Sequence, residues 1–557
     1  MLGWLVVAAL AVAVPLLVAD HYGALGIPRS DDWSYLVTLF RLDDGDGLSF
    51  NHWVSMSLVG QLVLAAPVVL VAGQDITALQ ALTAVEGLAG LVCVGVAGSV
   101  ALRARHGGLL VALTIVAGPL WAPLAATFMT DIPAFAVTAL SFALACIAFT
   151  HRPATLGWVA AALAAALGAV TVRQYAAVTL LATGLAALWW YASTGDRRRA
   201  RLVVALTAIA LVLVAVFYAW WSSVPAVRAL SPSTPDLHSA KVTFIKGAGF
   251  LRLMGLLLLP LLVAADPLTL VRRAWRCHRG LSVVAAAGSG LWLAGTAVRV
   301  PLDLFVGNYV SRDGVLSTAV LVGRRPDVFP RPFWWFLVAL ASAAAVTLVV
   351  ALVPAAVAGW ERIRARDWRL RDAVNGYLGL TLLGYGSAFA LAALTSLQVY
   401  DRYVLLALPA AGVALLRAGE AARAAEAVEP TNEARAAAWW RPVGVGVALV
   451  LLAGLGFAFT ADSASFDGAR WRAAEAATRA GWKVSEVNGG FEWMNFHRRT
   501  KRVPRAERPP VCVTVRINPG RRDWEEIAVV ESSAPTRATV PVIALRTTTP
   551  CPEPARP

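Results

Sequence analysis

Long apolar stretches alternate with short polar ones along most of the chain. A helix needs about 20 apolar residues to cross a bilayer, and stretches of roughly that length recur as far as residue 461. They lie at residues 2–19, 77–101, 109–126, 133–149, 155–170, 176–192, 202–222, 249–265, 281–297, 332–355, 373–395, 403–418 and 443–461. This pattern predicts an all-α polytopic membrane protein with about 13 transmembrane helices.

One further apolar stretch, residues 54–72, does not fit this count. If it also crossed, the basic segments of the chain could not share one side of the membrane. These segments lie at residues 103–105, 195–199, 272–276 and 362–366. We therefore expect residues 54–72 to lie along the outer surface as a juxtamembrane (periplasmic) or re-entrant helix.

With a cytoplasmic N-terminus, the charges of the loops follow the positive-inside rule. The inside loops then carry 20 Lys and Arg residues and the outside loops 12, as the rule requires. The first apolar stretch lacks a basic segment before it and a small-residue cleavage site after it. It is therefore interpreted as a retained span and not as a signal peptide.

The composition changes near residue 462 to that of a small water-soluble unit. A short helix is expected at residues 471–481, and strands at 511–517, 526–531 and 540–546. We accordingly divide the chain into a transmembrane domain, residues 1–461, with an external catalytic loop at 20–53, and a small α/β extracytoplasmic domain, residues 462–557. Cys512 and Cys551 would both lie outside, where a disulfide and two unpaired thiols are equally compatible with the sequence.

Composition excludes several classes of protein. Of the 557 residues, 58% are hydrophobic and 15% charged, and the mean hydropathy is +0.65, which excludes a soluble globular enzyme. The net charge of +15 lies mostly in short loops between spans, so it indicates orientation in a membrane and no nucleic-acid partner. The five cysteines show no metal-ligand spacing, which excludes zinc fingers and CxxC redox chemistry.

Acidic residues cluster directly after the first span. Asp31 and Asp32 lie in the sequence Ser-Asp-Asp-Trp-Ser-Tyr at residues 30–35. A carboxylate pair beside a membrane is unfavourable unless water, a cation or a substrate satisfies it, so both are candidate functional groups. Capping of a helix over residues 33–42 explains the pair equally well. Both interpretations can hold, because one Asp can cap while the other faces a cavity.

A third acid, Asp131, lies on the same predicted side in Phe-Met-Thr-Asp-Ile-Pro, residues 128–133. Pro133 fits the first turn of a helix, so capping by Thr130 or Asp131 is the simpler interpretation. The shared side nevertheless allows one acidic pocket that combines Asp131 with the earlier pair. Carboxylates of this kind could hold a divalent cation, although no spacing in the sequence demands one.

Basic residues are predicted at the same surface. An arginine or lysine there can simply reach the lipid headgroups, which is the interpretation that we favour for Lys246 and Arg252. Arg402 is different because it lies in Tyr-Asp-Arg-Tyr, residues 400–403. Its guanidinium could bind a phosphate with two hydrogen bonds, while Asp401 could pair with it. The remaining candidates are Arg173, in Val-Arg-Gln-Tyr at 172–175, and Lys241.

These motifs, in this order, resemble the C-type (GT-C) membrane glycosyltransferase superfamily, especially its protein O-mannosyltransferase and aminoarabinose-transferase branches. The resemblance covers residues 1–420 in order and topology. It is carried by the acidic motif at 30–35, the surface segment at 53–74, Asp-Ile-Pro at 131–133, and Arg402 with Tyr403 before a late span.

The resemblance implies transfer of a sugar from a polyprenyl-phosphate donor to an acceptor hydroxyl, with inversion, at the external face of a multi-pass protein. In that case Asp31 is the general base and Asp32 a second carboxylate that orients the acceptor or a cation. The expected partners are the lipid-linked donor, an acceptor glycan, lipid or protein, and membrane lipids. The high Ala, Arg and Gly content favours a bacterial plasma membrane. The substrate-binding residues would be Asp131, Arg173, Tyr175, Arg402, Tyr403 and Lys241.

Two other functions stay open. A transporter or flippase of lipid-linked sugars would predict inverted repeats with charges at the midplane, and the sequence shows no such halves. A non-catalytic cell-envelope assembly factor would use the C-terminal domain as a binding module. The aromatic residues Trp482, Phe491 and Trp493 could dock a carbohydrate, but the core of a small domain is the simpler explanation for them.

Overall fold

The computed structural model is mostly helical. It describes residues 1–51, 53–150, 155–225, 234–299, 304–307, 309–315, 321, 323, 325–367, 369–370, 372–397, 399–426, 432–497, 510–517, 524–547 and 551. Its helices are α1 Leu2–Ala8, α2 Val14–His21, α3 Asp32–Asp43, α4 Val59–Ala72, α5 Ile76–Leu102, α6 Arg105–Ala117, α7 Trp121–Ala125, α8 Asp131–Thr150, α9 Leu156–Val172, α10 Ala177–Ser193, α11 Arg197–Ser223, α12 Leu237–Leu257, α13 Leu259–Ala265, α14 Pro267–Arg299, α15 Arg331–Arg364, α16 Ala373–Leu394, α17 Leu408–Glu426, α18 Asn432–Arg479 and α19 Phe491–His497.

The prediction of a multi-pass helical membrane protein is confirmed, whereas the number of spans is not. Among the described residues, nine helices are long and apolar enough to cross a bilayer, or ten if the pair α12 and α13, bent by 62°, is one span. Three predicted spans correspond instead to α6, α9 and α17. The helices α6 and α9 have only 13 and 17 residues, because the backbone becomes extended at Gly118, directly after α6, and at Arg173, directly after α9.

The helix α4 occupies the stretch that was predicted to lie along the surface. It has 14 residues, too few to cross a bilayer at 1.5 Å per residue. It packs against α5 and α9. Its length agrees with a surface helix, and its position relative to the membrane stays a prediction.

Most acids at helix N-termini cap those helices. The carboxylates of Asp75, Asp196, Asp236 and Asp372 each accept a hydrogen bond from a backbone N–H in the first turn, which satisfies a donor that the helix itself leaves free. Asp31 occupies the same position before α3, yet its side chain makes no capping hydrogen bond. Its carboxylate is therefore available for other contacts.

The C-terminal part of the chain forms a small sheet against the end of α18. Its strands are β3 Val487–Asn488, β4 Val513–Arg516, β5 Trp524–Ala534 and β6 Arg537–Thr547, in the order β3-β4-β6-β5. Only the β3–β4 pair is parallel. The three predicted strands correspond to β4, β5 and β6. A two-stranded hairpin, β1 Val310–Ser311 and β2 Gly314–Val315, lies earlier in the chain.

The predicted short helix at residues 471–481 is the end of a much longer one. The helix α18 has 48 residues and runs without a break from the last membrane span to Arg479. Gly481, with φ +100°, follows its end. The change of composition near residue 462 thus falls inside one helix, so the span and the sheet-bearing unit share a rigid connection.

Buried ion pairs attach the C-terminal unit to the helical part. The carboxylate of Asp462, in α18, lies between the guanidinium groups of Arg325, at 2.6 Å, and Arg537, at 2.7 Å. All three side chains are at most 1% exposed. Burial lowers the pKa of Arg537 to about 10. Removing one member of such a buried group leaves an uncompensated charge, so this contact fixes β6 to α18 firmly.

A disulfide joins Cys512 to Cys551, 39 positions apart in sequence. Both residues are buried. Of the two alternatives that the sequence left open, the structure contains the bonded form. It ties the end of the chain to the start of β4.

We expect loss of this disulfide to destabilise the C-terminal unit by about 4 kcal/mol, the loop-closure entropy for a loop of this length. The variant C512A/C551A should become susceptible to protease within the C-terminal unit at a lower temperature than the wild type, with the helical part unchanged. The control is C277S, which removes a free, exposed thiol and should behave as the wild type. Equal protease susceptibility of the wild type and the double variant would contradict the prediction.

Candidate active site

Four charged residues that are far apart in sequence meet at one end of the helical bundle. Asp31 precedes α3 and Asp131 begins α8. Arg173 follows α9, and Arg402 lies in a 3-10 turn, Asp401–Leu406, that leads into α17. The site is therefore built from helix ends, where the chain turns and polar groups have no partners within the helix.

Asp131 and Arg173 form the most closely packed pair of the cluster. The Arg173 Nη2 donates to Asp131 Oδ2 at 2.8 Å, and the Nε donates to the Thr130 hydroxyl at 2.5 Å. The Nη1 donates to the hydroxyl of Tyr175. All three nitrogens of this guanidinium thus have a partner. The Asp131 side chain is 3% exposed and that of Arg173 1%, so the pair forms the buried floor of the site.

Arg402 is held more loosely. Its Nη2 lies 3.5 Å from Asp31 Oδ2, and its Nε lies 3.5 Å from Asp131 Oδ1. Both distances exceed the 2.7–2.9 Å that is usual for charged hydrogen bonds, and the buried Nε makes no hydrogen bond to any residue that the structure describes. Three tyrosine rings lie 5.0–6.0 Å from this guanidinium and stabilise its charge: Tyr309, Tyr400 and Tyr403.

Asp31 is the most accessible charge of the cluster. Its side chain is 27% exposed, against 4% for Arg402. Its Oδ1 accepts a hydrogen bond of 2.9 Å from the indole nitrogen of Trp53. Its main-chain oxygen accepts two hydrogen bonds from Ser34. The carboxylate is therefore held in one orientation while it stays open to solvent.

Asp32 has a different environment from its neighbour Asp31. It is fully buried, and its two oxygens accept from the backbone N–H groups of Arg29, at 2.6 Å, and Phe128, at 3.1 Å. Burial raises the pKa of Asp32, and these two N–H donors partly oppose the rise. The carboxylate fastens the loop before α3 to the loop before α8. Both oxygens of Asp32 thus have backbone partners, and the carboxylate holds two main-chain segments together.

Asp401 does not pair with the guanidinium of Arg402, contrary to expectation. Its carboxylate accepts from the backbone N–H groups of Val310, at 2.9 Å, and of Arg402 itself, at 2.8 Å. It thus joins the β1–β2 hairpin to the turn that carries Arg402. Burial raises the pKa of Asp401 to about 7, against the effect of the Val310 N–H.

The structure separates two basic residues from this cluster. Lys241 is an exposed residue of α12, and in the part of the chain that the structure describes no contact joins it to the four charges. Arg252 does not reach towards headgroups, which corrects the expectation for it. It is buried and donates to the Leu293 carbonyl, to Thr296 at 2.8 Å and to Ser342 at 3.3 Å, so it joins α12 to α14 and α15.

Tyr175 and Tyr403 are brought together as predicted for one site. Their ring centroids are 4.4 Å apart, and the Arg173 guanidinium lies 5.4 Å from each ring. Both tyrosines are half-buried. They form an aromatic wall beside the four charges.

The three acids do not form a set of metal ligands. Across the described ranges, no three His, Cys, Asp or Glu side chains form a group that could hold a metal ion. Asp31 and Asp131 face arginines, and the two oxygens of Asp32 face backbone N–H groups. The partners of these carboxylates are therefore positively charged or N–H groups, which would repel a metal cation.

Sequence reasoning missed the neutral residues of the site. Trp53, Thr130, Tyr309 and Tyr400 contact the four charges through their side chains. Tyr400 lies beside Arg402 in sequence and Thr130 beside Asp131, so proximity along the chain could have suggested them. Trp53 is 22 residues from Asp31, and nothing local in the sequence points to their contact.

The raised pKa of Asp401 predicts a pH-dependent contribution to stability. Because its pKa in the fold is about 7, above its ordinary value of 3.8, the folded protein binds this proton more tightly than the unfolded chain. The resulting stabilisation is greatest at acid pH and is lost as the pH rises from about 4 to about 7. The stability of the wild type relative to D401N should fall over that interval and be constant above it. Thermal unfolding of both proteins in detergent at a series of pH values measures this, and a difference that does not vary with pH would contradict it.

Comparison with known proteins gives matches only among solved structures. No protein-family model matches the chain, and no curated protein matches it either. ArnT from Cupriavidus metallidurans bound to undecaprenyl phosphate is 14% identical over 98% of each chain, with a TM-score of 0.43. Its apo structure gives the same identity and TM-score over 97% of this chain and 98% of that one.

A second neighbour is the archaeal oligosaccharyltransferase AglB from Archaeoglobus fulgidus, in complex with an inhibitory peptide and a dolichol-phosphate. It is 13% identical with a TM-score of 0.40, over 85% of this chain and 57% of that one. With TM-scores below 0.5, these matches carry no argument about the fold, substrate or mechanism of this chain.

Proposed function

We propose that this protein is an inverting membrane glycosyltransferase that uses a polyprenyl-phosphate-linked sugar, with Asp31 as the general base. The observation that carries the proposal is the contact between Asp31 and Arg402. An accessible carboxylate and a buried, loosely held guanidinium lie 3.5 Å apart. Glycosyl transfer from a phosphate uses both kinds of group in one site, a base that takes the proton and a cation that stabilises the leaving group.

Asp31 suits the role of the base. A sugar or protein hydroxyl is a weak nucleophile, so a positioned carboxylate must accept its proton as the new bond forms. In a direct displacement the acceptor oxygen attacks the anomeric carbon and its proton moves to Asp31. The bond between that carbon and the phosphate oxygen breaks, and its electron pair leaves with the phosphate. One base suffices, and the configuration at the anomeric carbon inverts.

Arg402 suits the role of the phosphate-binding group. The leaving phosphate gains negative charge, and a cation already in place stabilises it without reorganisation. Arg402 has long contacts to two carboxylates, whereas Arg173 is fully engaged with Asp131, Thr130 and Tyr175. A phosphate can therefore recruit Arg402 at little cost. In doing so it draws the guanidinium away from Asp31 and leaves that carboxylate free for the acceptor.

The lipid donor accounts for the membrane location of the site. A polyprenyl chain dissolves in the bilayer, so its phosphate arrives near the helix ends, where the four charges meet. The acceptor, a glycan, lipid or protein hydroxyl, approaches Asp31 from its exposed side. On the topology predicted from loop charge, this side is extracytoplasmic, in a bacterial plasma membrane.

The first test replaces the base. D31N should lower kcat by about 100- to 10,000-fold, the usual contribution of a general base, because the amide cannot accept the proton. The assay is release of undecaprenyl phosphate from a panel of undecaprenyl-phosphate-linked hexoses and pentoses, with a bacterial envelope extract as the source of acceptors and the protein reconstituted in liposomes. The matched control is D46N, which changes an exposed acid later in the same loop and should leave kcat unchanged.

The outcomes of this test separate the alternative functions. Full activity in D31N would contradict its role as the base. Movement of labelled lipid-linked sugar across the liposome membrane, without any release of undecaprenyl phosphate by the wild type, would support a flippase and contradict the enzyme.

The second test replaces the phosphate-binding group. R402Q should weaken binding of undecaprenyl phosphate by about 10- to 100-fold, because a charged hydrogen bond is worth about 1.5–3 kcal/mol. D31N should bind the lipid as the wild type does. The matched control is R199Q, which removes an arginine from a surface ion pair with Asp196. Wild-type lipid affinity in R402Q would contradict the assignment.

A further inference from the structure

Two side chains contact the Asp31 carboxylate, one at each of its oxygens. Trp53 Nε1 donates to Oδ1 at 2.9 Å, and Arg402 Nη2 lies near Oδ2 at 3.5 Å. The Trp53 contact has the length of an ordinary hydrogen bond, and the Arg402 contact is longer. When a donor phosphate draws Arg402 away, the indole N–H therefore remains as the contact that fixes the plane of the carboxylate.

The ring of Trp53 packs against the C-terminal unit. The ring of Phe491, the first residue of α19, lies 4.9 Å from the Trp53 ring at an angle of 60°. This edge-to-face geometry is the favourable one for aromatic pairs. Phe491 also contacts Trp33, in α3, at 5.6 Å. One ring of the C-terminal unit thus packs against two tryptophans of the loop region that carries Asp31.

The next residue of α19 holds the other side of this region. Glu492 is buried and accepts the backbone N–H of Ser30 at 3.1 Å. Its other oxygen accepts from Arg470 at 2.7 Å. Arg470 in turn pairs with Asp467, which also holds Arg29 at 2.9 Å. The two residues directly before Asp31, Arg29 and Ser30, are therefore anchored to α18 and α19.

Ser30 needs this anchoring because of its backbone. Its φ is +60°, a left-handed conformation that is unfavourable for a residue with a side chain. Such a conformation persists where surrounding contacts impose it. The hydrogen bond to Glu492 is one such contact, and it sets the direction from which Asp31 enters the site.

We propose that Trp53 is a positioning residue for the base Asp31, and that the C-terminal unit keeps it in place through Phe491. This inference rests on the proposed function, in which Asp31 accepts the acceptor's proton. It makes the C-terminal unit part of the catalytic apparatus through a ring that acts by way of Trp53. If this is so, the transmembrane domain without the C-terminal unit would not be fully active, even though it contains Asp31 and Arg402.

The test compares two tryptophans that pack against the same ring. W53F keeps an aromatic ring beside Phe491 and removes the N–H that Asp31 accepts. W33F is the matched control, because the Trp33 indole nitrogen donates to no residue that the structure describes. We expect W53F to lower kcat by about 10- to 100-fold, as for loss of a hydrogen bond to a charged group, with unchanged KM for the lipid-linked sugar. W33F should retain the kcat of the wild type.

A double-variant cycle distinguishes positioning of the base from a general structural role. In the D31N background there is no base to orient, so adding W53F should lower kcat no further. A structural defect would instead lower activity equally in both backgrounds. Binding of undecaprenyl phosphate alone should be the same in the wild type, W53F and W33F.

The role of the C-terminal unit is tested by F491L, which removes the ring that supports Trp53. It should lower kcat with unchanged lipid affinity, and less than W53F does. If W53F does not fold, F491L takes its place in the cycle with D31N.

Equal kcat values for W53F and W33F, or wild-type kcat in F491L, would overturn this inference while D31N stays inactive. Failure of the proposed function looks different, because the wild type itself would then release no undecaprenyl phosphate.

Discussion

The site depends on one carboxylate shared between two buried guanidinium groups. Asp131 lies 2.8 Å from Arg173 and 3.5 Å from Arg402, and all three side chains are almost fully buried. An uncompensated charge at such a place costs several kcal/mol, so neither arginine could stay there without the acid. Because Arg173 takes the closer position, Arg402 is left with distant partners. This asymmetry leaves Arg402 as a buried cation whose contacts to carboxylates are both long.

Two further buried carboxylates hold together the helix ends that carry these charges. The loop before α3 and the loop before α8 are joined through Asp32, and the turn with Arg402 is joined to the hairpin through Asp401. Among the described residues, both carboxylates accept from backbone N–H groups and from no side chain. They hold main-chain segments at fixed distances, so the charged side chains that these segments carry meet at fixed distances too.

The C-terminal unit extends this framework. Two buried ionic groups, one around Asp462 and one around Asp467, connect α18 to the hairpin region and to the loop before α3. Since α18 is continuous with the last span, movement of the sheet relative to the helical bundle would require breaking these pairs. The C-terminal unit, which differs from the rest of the chain in composition, is thus joined to the site by a continuous helix and by buried ion pairs.

The sequence allowed a good prediction of some features and none of others. Apolar stretches predicted the helices, and alternation predicted β4, β5 and β6, because both patterns reflect local burial. Loop charge predicted that Asp31, Asp131, Arg173 and Arg402 share one side, and the structure brings them together. Local patterns say less about where a helix ends. For that reason the helices α6, α9 and α17 differ in length from the spans that were predicted there.

The direction in which each acidic side chain points was harder to predict from the sequence. Asp32 faces Phe128 across 96 positions and Asp401 faces Val310 across 91. No local signal distinguishes an acid that will accept distant backbone N–H groups from one that will face a pocket. Asp31 and Asp32 are adjacent in sequence, yet they differ because successive residues at the start of a helix point about 100° apart.

The charges of the site also suit the proposed chemical step. Asp31, Asp131, Arg173 and Arg402 sum to zero, and a phosphodiester donor adds one negative charge. On transfer, Asp31 becomes neutral by accepting a proton while the departing phosphate gains a second negative charge. The total is the same before and after the step, although negative charge moves from Asp31 towards Arg402. In a partly buried site, where uncompensated charge is expensive, this internal exchange needs no ion from solvent, because one site holds both the base and the guanidinium.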